Sequence, residues 1–124
     1  MKSPDQPGVL SAAVLAQTLD QMWTRFLPQI RERVAVLERV AAAESANELT
    51  PAGREEVHAV AHKLAGTLGM FGLSRGTELA RELEVTYSRE NSPNPGAGER
   101  LATVAAELRT IVESRPSKSQ GPSK

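Results

Sequence analysis

AHKLAGTLGMFGLSRGTELARELE, residues 61–84, decides the fold, because it is written in helical spacing yet breaks the usual rules of helix composition. Ala61, Leu64, Leu68 and Phe71 continue a stripe begun by Val57 and Val60. Their spacing of three and four residues is that of an amphipathic helix. Thr50 followed by Pro51 marks its start. A threonine hydroxyl can cap the first free N–H groups, and proline fits the first helical position, where no N–H is needed. After Gly72 and Leu73, Ser74 with Thr77 and Glu78 opens another helix, whose apolar face is Leu79, Ala80, Leu83 and Tyr87.

Gly66, Gly69, Gly72 and Gly76 fall within eleven residues of this stretch. Glycine inside a helix costs about 1 kcal/mol relative to alanine. Gly72 is explained as a helix terminator and Gly76 by its place near a helix start, where the cost is small. Gly66 and Gly69 need another reason. They follow His62 by four and seven residues, which at about 100° per residue sets them about 40° and −20° from it. His62, Gly66 and Gly69 therefore form one stripe, turned away from Val57, Leu64 and Leu68, with His58 on the same side. Bare backbone beside an exposed imidazole lets another macromolecule approach the ring. The competing explanation is close packing against a neighbouring helix of the same chain.

Outward from this stretch the rest of the chain is also helical. Leu19, Met22, Trp23, Phe26, Ile30, Val34, Leu37 and Ala41 trace one long stripe, within which Pro28 predicts a kink or a junction between two helices. The apolar segment Val9 to Ala16 reads as a separate short helix before it. NSPNPGAG, residues 91–98, is the plainest loop, and a last helix follows with Leu101, Val104, Leu108, Ile111 and Val112 facing inward. No period-two strand and no internal repeat occurs. The fold expected is all-α: an antiparallel four-helix up-down bundle with a short N-terminal helix. Its boundaries are a disordered tail at 1–8, the bundle at 9–114 and a disordered basic tail at 115–124.

Composition narrows the chemistry. The 124 residues suit one domain. Absence of cysteine excludes disulfides, thiolate metal sites and cysteine nucleophiles. Basic and acidic residues number 15 each, and Trp23, Phe26, Phe71 and Tyr87 are all the aromatics, so neither nucleic acid nor an anionic membrane is an expected partner. The tail cations Arg115, Lys118 and Lys124 leave residues 1–114 with 12 basic against 15 acidic groups. No apolar run approaches the roughly 20 residues that a spanning helix requires, and the polar start does not resemble a signal peptide. A cytoplasmic protein is expected, and a monomer, since the apolar stripes can bury one another.

His58 and His62 at i,i+4 can share one metal ion, and Glu55 lies one turn earlier. Ala59 to Ala61 between them offer no glutamate, and no third ligand is compelling, so no metal site is expected. Small bundles lack the strained turn and oxyanion pocket of a serine hydrolase. What remains for an exposed imidazole is nucleophilic acceptance of a phosphoryl group, since its ordinary pKa is about 6.5 and such transfer needs little beyond positioning and charge neutralisation. Lys63, beside His62, is a candidate cation.

Residues 61–84 resemble the histidine-containing phosphotransfer (HPt) family, in which a phosphoacceptor histidine is followed by glycines four, seven and ten residues later. His62, Gly66, Gly69 and Gly72 match, as does the buried Leu64. The resemblance implies a four-helix bundle without kinase or hydrolase activity of its own. It implies relay of a phosphoryl group between His62 and an aspartate on a response-regulator receiver domain, with a hybrid histidine kinase as the other candidate partner. The receiver then brings the Mg²⁺, and no cofactor belongs to this chain. Glu84 takes the position of the polar residue that supports the imidazole, fixing the Nδ1–H tautomer and leaving Nε2 to attack. His58, Ala65, Gly66 and Gly69 are the expected docking residues. Many members carry lysine where this chain has Ala65, which shifts phosphate neutralisation to Lys63 or to Arg75 across the turn. The alternative is a helical adaptor that docks a receiver or kinase without being phosphorylated.

Overall fold

The computed structural model describes residues 7–89 and 96–115, with side-chain environments from residue 11 onward. Four helices make up this part: α1 (Pro7–Ser45), α2 (Pro51–Met70), α3 (Ser74–Thr86) and α4 (Ala97–Ser114). α1 touches α2 and α4, and α3 touches the same two, while α1 and α3 face each other diagonally. With short connections between successive helices, that ring of contacts is the expected up-down bundle.

α1 is one helix of 39 residues with Pro28 inside it, so of the two outcomes expected at Pro28 the junction between helices does not occur. Proline in a helix interior costs about 3 kcal/mol. Pro28 is exposed, so water can reach the carbonyl that it leaves without an N–H partner. On either side, Trp23, Ile30, Val34 and Leu37 are buried on one continuous face. Each contributes about 1.5–3 kcal/mol by leaving water, enough together to outweigh the local cost. Val9 to Ala16 is likewise no separate helix but the start of α1. Its described residues are exposed, Val14 and Leu15 among them, so these turns overhang the bundle.

Both ends of α2 are built as the sequence indicates. The Thr50 hydroxyl accepts from the Gly53 N–H at 3.0 Å, and Pro51 opens the helix. At the far end Gly72 adopts φ +74°. Its N–H donates to the Gly69 carbonyl at 3.1 Å, and the Leu73 N–H donates to Leu68 at 3.0 Å. This pair of bonds ends a helix through one left-handed residue, the conformation glycine adopts without steric cost. Asn47, at φ 60°, ends α1 in the same way, with the Glu48 N–H donating to Ala43.

Leu37, Val57, Leu64, Leu68, Leu79, Leu83, Leu101 and Leu108 meet in the core. Gly76 is buried among them, and a Cβ there would stand 2.9 Å from Leu68 Cδ1. Its role is therefore close packing of α3 against its neighbours, not merely tolerance near a helix start. Tyr87 closes the other end: its hydroxyl donates to Glu44 at 2.8 Å. Burial first, then Glu44, pushes the phenol well above its ordinary pKa.

Two boundaries shift. Pro7 and Gly8 belong to α1, and α4 begins at Ala97, inside the stretch read as loop. Arg115 is not a tail residue: its guanidinium lies over Trp23 at 4.9 Å and Phe71 at 5.6 Å, and bonds Asp20 at 3.3 Å. The remainder of the two tails, residues 1–6 and 116–124, and of the loop, residues 91–95, lies outside the described residues, as does Glu90.

Candidate functional site

His62 projects from the outer face of α2 with 70% of its side chain exposed. Its Nδ1 lies 2.7 Å from Glu84 Oε2 on α3. An ionised carboxylate can only accept, so Nδ1 carries the proton and donates it, and the Nε2 lone pair points away from that bond. Glu84 is 22% exposed, set in the seam between the helices with its carboxylate turned to the ring. One bond thus fixes both the tautomer and the orientation of the imidazole.

Beside the ring the backbone is bare. A Cβ at Gly66 would meet nothing within 4 Å, and at Gly69 only Thr77 at 3.6 Å, an ordinary contact. Among the described residues, therefore, neither glycine is held by close packing against a neighbouring helix. A shallow depression lined by Gly69, Gly72, Ser74, Thr77 and Glu78 continues the strip.

The other expected residues divide. Ala65 is buried, 2% exposed, and offers no side chain to a partner. At 300° from His62 on the helical wheel it turns toward the core side of the stripe. His58 is half-buried, and its Nδ1–H donates to the Glu84 backbone carbonyl at 2.8 Å. That contact, which the sequence reading missed, ties His58 to α3 and does not leave it standing free on the docking surface. The only sequence signal for it was its place one turn before His62. Lys63 is exposed next to His62. Arg75 is engaged elsewhere: its Nε donates to Glu107 at 2.9 Å, tying α3 to α4. Among the described residues no three His, Cys, Asp or Glu side chains are grouped as a metal set. No described helix is long and apolar enough to cross a membrane.

The site is thus one exposed histidine held by a carboxylate beside a glycine strip, on the outside of a helical bundle. The family model of the Hpt domain matches residues 21–114, and the chain belongs to that family. It is also similar to Protein RcaC of Microchaete diplosiphon, 33% identical over 95 residues. That region is 77% of this chain but 15% of the relative, so the chain corresponds to a small part of a much longer protein. No solved structure matches it. Membership places the chain in phosphotransfer within two-component signalling.

Proposed function

We propose that this protein is a phosphoryl carrier in which His62 accepts a phosphoryl group from, and returns it to, the aspartate of a response-regulator receiver domain. The observation that carries this reading is the 2.7 Å bond from His62 Nδ1 to Glu84 on an otherwise exposed ring. The Nε2 lone pair attacks phosphorus as the acyl-phosphate P–O bond breaks, and the aspartate leaves with that electron pair. Nδ1 keeps its proton, and the positive charge that develops on the phosphorylated ring is met by the Glu84 carboxylate. The receiver would bring Mg²⁺ to neutralise phosphoryl charge, and this chain would add no cofactor of its own. Lys63 contributes positive charge at the rim, while Gly66 and Gly69 leave room for the receiver to bring its aspartate to Nε2. A hybrid histidine kinase is the second partner class, and the carrier acts as a cytoplasmic monomer.

Incubation with a phosphorylated receiver tests the reading. The chain should gain an acid-labile, base-stable phosphate that mass spectrometry maps to His62 and that His62→Gln abolishes. Docking without labelling would favour the adaptor.

A further inference from the structure

Glu84 takes two hydrogen bonds from α2, one at each end of the residue. Its carboxylate accepts from His62 Nδ1 at 2.7 Å, and its backbone carbonyl accepts from His58 Nδ1 at 2.8 Å. The second bond has a structural cause. α3 ends at Thr86, so Glu84 is in the last turn, where carbonyl groups run out of helical N–H partners. The Ser88 N–H, four residues on, donates to Val85 instead, at 3.2 Å. His58 supplies the missing donor. The bond is part-buried, and its two histidines stand one turn apart on α2, so both attachments hang from the same rigid segment.

We propose that His58 is a positioning residue for phosphorylation of His62: by holding the Glu84 carbonyl it keeps the last turn of α3 in register with α2, so that the Glu84 carboxylate meets Nδ1 of His62. Helix ends fray, and a side chain in the last turn is placed only as well as its backbone. With the backbone pinned, the carboxylate needs only its own rotamer to find the ring. Without the pin, Nδ1 is held a smaller fraction of the time, and the ring presents either nitrogen to phosphorus. His58 therefore governs which nitrogen is phosphorylated as well as how fast.

The inference rests on His62 being the acceptor, and a small donor separates the two ideas. Phosphoramidate phosphorylates an imidazole directly: ring nitrogen attacks phosphorus, the donor P–N bond breaks, and ammonia leaves with the electron pair. In the full chain, ³¹P NMR after this reaction should show the Nε2 adduct on His62 almost alone. His58→Leu should slow labelling about tenfold, by the scale at which residues that orient a reacting histidine act, and should raise the share of the Nδ1 adduct. His58→Asn, whose amide N–H stands near the Nδ1 position, should restore both. Wild-type rate and wild-type nitrogen preference in His58→Leu would overturn the role of His58 alone. A wild-type chain that takes phosphate from neither phosphoramidate nor a receiver would overturn the carrier reading itself. If His58→Leu fails to fold, ¹⁵N NMR of the unaltered protein still decides: a His58 ring protonated only at Nε2 cannot make this bond and would end the proposal.

Discussion

His62 and Glu84 meet across the α2–α3 seam at 2.7 Å, with the histidine side chain 70% and the glutamate side chain 22% exposed. The unequal exposure is the useful part. The ring remains open to a partner while the group that orients it sits in the seam, so orientation does not depend on the partner's arrival. Lys63, by contrast, is exposed beside His62.

Glu84→Leu should slow phosphoryl transfer to His62 by about tenfold to a hundredfold, the range seen when a carboxylate that orients a histidine is removed. The fold should hold, since Glu84 is not a member of the core cluster. Rapid-quench measurement with a phosphorylated receiver checks this, and an unchanged rate would remove Glu84 from the site.

Gly66→Ala should stabilise the protein by about 1 kcal/mol, because alanine suits a helix interior better and the added methyl meets nothing within 4 Å. Gly66→Leu should fold equally well but lose transfer from a receiver while still accepting phosphate from phosphoramidate. Thermal melts and the two donors test both halves; equal transfer from both donors would show that the strip is not a docking surface.

Gly76→Ala should do the opposite and destabilise by about 1–3 kcal/mol. Its Cβ would stand 2.9 Å from Cδ1 of the fully buried Leu68, with Ile111 at 3.6 Å and Leu108 at 3.7 Å already in contact around it, so room must be made within the core. Urea denaturation reads the difference as a lower midpoint with the same slope.

Acid should loosen the attachment of α4. Arg109 holds the Glu38 carboxyl below its usual pKa of 4.5, and Arg100 does the same for Glu82, in each case chiefly by a hydrogen bond. Groups whose pKa is lowered by folding stabilise the fold above the unfolded value and cease to do so as pH falls through the folded one. The contribution of these two pairs should therefore be fully present above about pH 5 and decline below about 4.5, less steeply at high salt, where exposed pairs are screened. Melting temperature against pH at two salt concentrations tests the sign.

The expected bundle matches the four observed helices because burial is additive along a face, and period alone identifies the faces of α2, α3 and α4. A junction between helices at Pro28 and a separate helix over Val9–Ala16 were read locally, as breaks, and there the reading failed. A local cost of about 3 kcal/mol is visible in sequence, whereas the tertiary contacts of Trp23, Ile30 and Val34 that outweigh it are not. Arg115 looked like one more tail cation for the same reason, since nothing near it in sequence announces Trp23, Phe71 and Asp20.

At the candidate site, sequence determined what depends on spacing along one helix: the stripe of His62, Gly66 and Gly69, the cap at Thr50 and the turn at Gly72. Tertiary structure decided what depends on distance between helices. It set Glu84 against Nδ1, turned His58 to the end of α3, buried Ala65, drew Arg75 to Glu107 and packed Gly76 tightly against Leu68. Periodicity fixes the direction in which a side chain leaves its own helix, but which atom it meets is set by the packing and register of the helix opposite.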